Sequence, residues 1–516
     1  MLRTQKLFLI IILLIGFSFL ATAQKVIYSE PDRDDNISNN FMIIGKLNNN
    51  CLIYKNQRGD MHSIAVYDAQ MKLIEKNALD FLPGKIISSE FLAYPNYCYM
   101  FYQFQKRNII YSMAVKLDAK GKKMSDPIQL DTTEISFFAS NKFYSVIFSE
   151  DKQKIMCFKV NNKNDKKHIV TTSLFDKDLQ LIHRSEIGIQ MPDRNDFLVD
   201  FVLDNSGTLF FIRAAGTAQN DNITKITLFS KEINASNVSF TDLKVPGIFL
   251  DELNVKMDNI NKRFVIVSFY SKQRRGNVDG LYACYWDQSK SKEQTNIVSF
   301  SDELRAEAKG DNNLKSAFND YFLRNIILKK DGGFIIAAEA SYTSTRSGMN
   351  SNRWDSWGGN SIGIGSGYYS PNAWVGDFGR SSMAYPFGRT TNFNDVTKYY
   401  AENIAILSYD SIGKVEWTNI INKSQYDENT DYLIGYTMVN TGDLLHFFFN
   451  VQEKRNNVLT NQSITSEGQI NRNPTIKNLD KGYDFMPKYA KQVGFRQIIV
   501  PCQFRNYVCF AKIDIN

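Results

Sequence analysis

A β-propeller, an all-β ring of four-stranded antiparallel sheets, is the fold this sequence predicts. Three observations carry that reading. The composition favours strands, a strand-and-turn pattern returns every fifty-odd residues, and helical periodicity is almost missing. Phe (37) and Tyr (26) are abundant while Pro (11) is scarce, and aromatic and β-branched side chains suit a pleated, half-buried surface. A hydrophobic content of 43% excludes a disordered chain, which cannot bury enough apolar surface to fold. The best helical stretch, "SDELRAEAKGDNNLKS" at 301–316, has a capping-like start but contains Gly310.

The repeat is a strand that ends on Asp or Ser and runs into a turn. Asp68, Asp118, Asp176, Ser230, Asp287, Asp410, Ser466 and Asp514 hold that place. Their spacing is about fifty to sixty residues, with one doubled interval between Asp287 and Asp410, a period that fits propeller blades. Each unit parses as four strands, A to D. In the sixth, "YFLRNIIL" is followed by the turn Asp331-Gly332-Gly333, then "FIIAAEASY", "ENIAILSYD" and "VEWTNIIN". Glycine at that turn supplies a tight reversal or a positive φ. The B strand is apolar almost without a break, as expected when both faces of a sheet are covered. The last unit offers only three strands. The predicted fourth is "KVIYSE" at 25–30, which would join head to tail and close a ring of eight blades; seven is the alternative count.

The sixth unit, "KDGGFIIAAEASYTS" followed by "AILSYDSIGKVEW", resembles the DGG-type repeat of secreted bacterial β-propellers. Asp331, Gly332, Gly333, Phe334, Asp410, Gly413 and Trp417 carry the resemblance. It implies the fold and export. That family has no common activity, so it implies no functional residue.

Residues 1–23 read as a secretory signal peptide. Arg3 and Lys6 precede an apolar run too short to span a bilayer, and Ala21-Thr22-Ala23 is a cleavage site. The expected mature chain, 24–516, is one propeller domain without a transmembrane segment, a monomer, secreted, periplasmic or at the cell surface. The formal net charge of +7 is mild for this length, and secretion together with the lack of a binding motif disfavours nucleic acid. Of six cysteines, four fall inside apolar strand-like runs. Cys502 and Cys509 would face each other across a two-residue turn at Arg505-Asn506, where an oxidising compartment permits a disulfide.

The doubled interval is a Gly-, Ser- and aromatic-rich insertion at 343–398, between strands B and C of the sixth blade. Trp354, Trp357, Tyr368, Tyr369 and Trp374 lie in it, and long loops on rigid scaffolds tend to carry function. These rings are candidates for sugar stacking or for a partner's pocket; the alternative is a self-packed loop. The B–C loops hold a basic surplus that includes Arg274 and Arg275 and favours an anionic partner. The D–A loops are acidic, with Asp193, Asp196, Asp427 and Asp431 as a candidate carboxylate cluster at the channel mouth. Facing carboxylates there would permit glycoside chemistry, whereas loop Asp residues ordinarily cap turns.

No HExxH or other metal-ligand spacing, no G-x-S-x-G elbow and no phosphate loop is present. No cofactor or metal is expected. The functional expectation is a non-catalytic exported propeller that binds a protein or glycan through one loop face. The alternative is a glycan-active hydrolase or lyase.

Overall fold

The computed structural model describes residues 25–31, 40–57, 61–136, 138–139, 141–164, 166–193, 195–216, 221–309, 314–345, 350–351, 397–428, 430–453, 456–476 and 482–515. The fold is all-β and propeller-like. Consecutive strands pair antiparallel into four-stranded units, numbered here in chain order with strands A to D. Unit I is Asn40–Leu47, Asn50–Gln57, Met61–Tyr67 and Leu73–Ala78; unit II is Ser88–Ala93, Tyr97–Lys106, Ile109–Asp118 and Ile128–Glu134. Unit III is Ser145–Phe148, Lys154–Asn164, Lys167–Asp176 and Leu181–Gln190; unit IV is Phe197–Leu203, Leu209–Gly216, Ile223–Lys231 and Ser239–Leu243. Unit V is Asn254–Asp258, Arg263–Ser271, Gly280–Asp287 and Lys292–Ser299; unit VI is Tyr321–Leu328, Phe334–Thr345, Thr397–Tyr409 and Val415–Ile421. Unit VII is Tyr436–Asn440, Leu444–Glu453, Asn456–Thr465 and Ile470–Arg472. The last, VIII, is Lys491–Gly494, Gln497–Phe504, Tyr507–Asp514 and, from the other end of the chain, Lys25–Tyr28.

Hydrophobic clusters form between units rather than within them. Ile44, Leu52, Ile64 and Val66 of unit I pack on Cys98, Met100, Val115 and Leu117 of unit II. The other face of unit I buries Ile43, Ile53 and Met71 against Ile499, Val508 and Phe510 of unit VIII. Both faces of strands B and C are therefore covered, and this explains their unbroken apolar runs. In unit VI, Ile336, Ala337 and Ala338 have no exposed surface.

In units I, II, III and VI the recurring Asp has a single structural cause. Asp118 Oδ1 accepts hydrogen bonds from the backbone N–H groups of Lys120 and Lys122, both at 2.8 Å. Asp68, Asp176 and Asp410 hold the C–D turns of units I, III and VI in the same way. An Asx side chain that caps its own turn needs no other partner. The fourth turn residue is left-handed: Met71 (φ 57°), Gly121 (73°), Leu179 (60°) and Gly413 (80°). That residue also faces the preceding unit. A Cβ on Gly121 would stand 2.7 Å from Ile64 of unit I, and one on Gly468 2.7 Å from Trp417 of unit VI. Leu179 joins the cluster with Tyr99 and Phe101 of unit II, and Met71 the one with Phe510 of unit VIII. In unit VII the capping oxygen is Thr465 Oγ1, bonded by Gln469 N at 3.1 Å, one residue before the expected Ser466.

The Asp331-Gly332-Gly333 turn joins strands A and B of unit VI, with Gly332 at φ 85°. Gly333 N donates to Asp331 Oδ1 at 2.9 Å. A Cβ on Gly333 would come within 2.4 Å of the Tyr409 carbonyl, so only glycine fits there. The helical stretch begins where expected: the described helix is Asp302–Lys309, with Ser301 Oγ accepting from Leu304 N at 3.2 Å. Its buried Arg305 donates to the Asp279 carbonyl at 2.8 Å, which ties the helix to unit V.

The N-terminal strand pairs as the sequence suggested, with Lys25 opposite Asp514 and Tyr28 opposite Ala511. Tyr28 stacks on Tyr483, with centroids 4.9 Å apart. Lys491 Nζ donates to the carbonyls of Ile43 and Ile44 at 3.1 and 3.0 Å, linking the innermost strands of units VIII and I. Cys502 and Cys509 are directly opposed in register. Both are fully buried. No helix among the described residues is long and apolar enough to cross a membrane.

Candidate ligand-binding face

Strands B and C of unit VI, Phe334–Thr345 and Thr397–Tyr409, are long enough to run past the body of their sheet. Their outer ends form a small sheet with two flanking pieces. Asn350–Ser351 pairs with Thr343 and Ser344 on one side, and Gln425–Glu428 pairs with Lys398–Ala401 on the other. The insertion leaves from this sheet at Ser351 and returns at Thr397. Trp354, Trp357, Tyr368, Tyr369 and Trp374 lie outside the described residues.

Register brings three tyrosines into line across this sheet. Tyr342 is opposite Tyr400, and Tyr400 is opposite Tyr426. The first two rings stack with centroids 4.6 Å apart and 14° between planes; Tyr400 and Tyr426 are 6.3 Å apart. Cross-strand aromatic pairs of this kind stabilise a sheet by a few tenths to 1 kcal/mol each. The Tyr342 hydroxyl donates to Glu402 at 3.0 Å. Burial first, then that carboxylate, pushes the Tyr342 phenol up. The ladder ends on Tyr426, which is 60% exposed and lies on the edge strand. Lys398 Nζ sits 5.8 Å from its centroid and 3.1 Å from Glu428.

Strand alternation puts Tyr399 and Asp427, which are also paired, on the opposite side. Asp427 accepts from Thr430 Oγ1 and Glu428 N, each at 2.8 Å. Burial raises its carboxyl above the ordinary range. Asp431 is held by an ion pair with Lys488 and by the Tyr489 hydroxyl at 3.2 Å. The loop into unit VII therefore holds two carboxylates in unlike settings.

The other expected acids belong to a different loop. Asp196 Oδ2 accepts from Asp193 N at 3.1 Å, closing the turn into unit IV, and burial raises the Asp196 carboxyl. Among the described residues, no hydrogen bond or ion pair joins Asp193 and Asp196 to Asp427 and Asp431. Asp193 and Asp196 thus share one turn, while Asp427 and Asp431 lie in the connection into unit VII, where Asp431 reaches Lys488 and Tyr489 of the next unit.

Arg274 and Arg275 converge on Asp221. Arg274 Nε lies 2.5 Å from Asp221 Oδ2 and Arg275 Nε 3.5 Å from Oδ1. Nothing in the sequence points to this partner, which sits in the B–C loop of the preceding unit. The ladder tyrosines are hidden in the sequence for a related reason. Tyr342 and Tyr400 are separated by the insertion, and register is not written in either segment alone. The alternation in "TKYYAEN" and "QYDE" was the available signal.

Fold and site together define an all-β, propeller-like protein with an aromatic sheet raised from one end of unit VI. No family model and no curated protein matches the chain. Among solved structures, the chain is similar to the BP39L lectin from Burkholderia pseudomallei at 10% identity, covering 86% of this chain and 99% of that one, with a TM-score of 0.35. It is similar to an ulvan lyase, described as a new family of polysaccharide lyase, at 11% identity, 94% and 95% coverage and a TM-score of 0.36. Prolyl oligopeptidase B from Galerina marginata matches at 10% identity, 85% and 57% coverage and a TM-score of 0.33.

Proposed function

We propose that this is an exported, non-catalytic eight-bladed β-propeller that binds a glycan through its B–C loop face, at the tyrosine sheet of unit VI. Export rests on the signal-like segment ending at Ala23. The blade count and the closure rest on the I–VIII seam, where Met71 meets Phe510 as Leu179 meets unit II, and on the Lys25–Tyr28 strand.

The observation that carries the binding reading is the ladder Tyr342–Tyr400–Tyr426. An exposed aromatic ring on a rigid strand, as Tyr426 is, is suited to the C–H face of a pyranose, and a charged neighbour such as Glu428 can accept sugar hydroxyls. Burying one such ring contributes on the order of 1–3 kcal/mol. A glycan array probed with the mature chain and with a variant lacking 346–396 tests the reading. Discrete oligosaccharide hits that weaken without the insertion are expected. An array without hits, together with capture of a protein, would favour a protein partner.

A second reading, glycan hydrolysis or elimination, draws on the pair Asp427 and Asp431. One carboxyl is raised by burial and the other is paired with a lysine, and such a split suits an acid and a base. Product release from a bound oligosaccharide, abolished in Asp427→Asn, would establish it.

A further inference from the structure

We propose that Arg274 and Arg275, held by the buried carboxylate of Asp221, form a clamp for the carboxylate or sulfate groups of an acidic glycan. This rests on the glycan-binding reading and deepens it by naming the ligand's charge.

The cluster is built across two units. Asp221 and Asn222 precede strand C of unit IV, and Arg274 and Arg275 lie in the B–C connection of unit V. The Asp221 side chain has no solvent exposure, while those of Arg274 and Arg275 are 50% and 49% exposed. Asn222 N donates to Asp221 Oδ1 at 2.8 Å, and Arg275 N to Asn222 Oδ1 at 2.7 Å. Asn222 Nδ2 reaches the Leu250 carbonyl at 3.2 Å and Asp251 Oδ1 at 3.3 Å. The Arg275 backbone is left-handed, with φ 52°. A bulky residue holds that conformation only where its surroundings fix it.

Asp221 therefore anchors two guanidinium groups from beneath, and Asp251 lies buried beside it, while the cationic side chains reach into solvent. An anion arriving from outside meets the arginines first. A guanidinium engaged on one edge still offers donors in a planar fork that fits carboxylate and sulfate oxygens. Orienting both side chains in advance lowers the entropy lost on binding. Ordinary surface ion pairing does not require a fully buried acid.

The test is calorimetric titration of the mature chain with tetragalacturonate, with a sulfated galactan tetrasaccharide and with fully methyl-esterified tetragalacturonate as the neutral control. At least one acidic ligand should bind about tenfold or more tighter than the neutral one, with an affinity that falls as salt rises. The two acidic arms distinguish carboxylate from sulfate. The double variant Arg274→Ala/Arg275→Ala should lose that advantage and keep the neutral affinity. Asp221→Asn should also weaken acidic binding although it removes a negative charge, because the arginines lose their anchor; simple electrostatics predicts the opposite sign. Should Asp221→Asn fail to fold, the double arginine variant decides. Equal binding of acidic and neutral ligands, or full acidic affinity in the double variant, overturns the clamp and leaves the glycan reading standing. A wild-type chain that binds none of the three overturns the clamp and leaves the glycan reading to the array.

Discussion

The C–D turns and the B–C connections lie at opposite ends of the same strands, and they are built on different principles. At the C–D end, units I, II, III and VI repeat one device: an Asp that caps its own turn and a left-handed residue pressed against the unit before. Nothing there is spare. At the B–C end the units diverge, with an aromatic sheet and insertion on unit VI and an arginine pair on unit V. Those side chains reach beyond what the local fold needs. The contrast teaches that one end is built by a repeated scaffold device and that the other, on the proposed reading, carries the binding groups.

Breaking the scaffold should have the largest effect. Phe334 is fully buried, stacks on Tyr409 at 4.9 Å and reaches Tyr285 of unit V at 5.9 Å. Phe334→Ala should lower unfolding free energy by about 3–5 kcal/mol in denaturant titration. Gly121→Ala comes next. The left-handed backbone costs about 1–2 kcal/mol for an L-residue, and the added methyl would press on Ile64, so a loss of about 2 kcal/mol or more is expected. Asp118→Ala removes the side-chain oxygen that accepts from two backbone N–H groups at the same turn and should cost about 1–2 kcal/mol. An unchanged stability in either turn variant would mean that the repeated device is not structural.

The smallest expected effect is one of pH. His446 is buried in strand B of unit VII with Nδ1 3.2 Å from Asn461 Oδ1, and burial lowers its imidazole below the ordinary 6.5. Below that value the unfolded chain takes up a proton that the folded one resists. Stability should therefore be complete above about pH 6.5 and decline as pH falls toward the depressed native value. His446→Gln should flatten that part of a melting-temperature profile between pH 7 and 5; a profile of unchanged slope would contradict it.

The scaffold end was the legible one. Asp68, Asp118, Asp176 and Asp410 act within five residues of themselves, so each turn is recorded in its own short segment. The head-to-tail strand could be read because the last unit was short of a strand and "KVIYSE" had the right pattern. The presenting end was not legible. Tyr342 and Tyr400 meet only when a long insertion is bridged in a particular register, and Asp221 meets Arg274 only when unit IV packs on unit V. For Asp193, Asp196, Asp427 and Asp431 the sequence shows which loop type each acid occupies and not which neighbour its oxygen takes, as with Asp431 on Lys488 and Tyr489.

The division between the two ends is tested most directly by one paired titration. An oligosaccharide hit from the array is titrated into the wild-type chain, Tyr426→Ala and Asp118→Ala, each checked by thermal unfolding. The account predicts that Tyr426→Ala melts like the wild type and binds about tenfold or more weakly, while Asp118→Ala melts lower and binds as the wild type does. Wild-type affinity in Tyr426→Ala, or lost affinity in a folded Asp118→Ala, would contradict it.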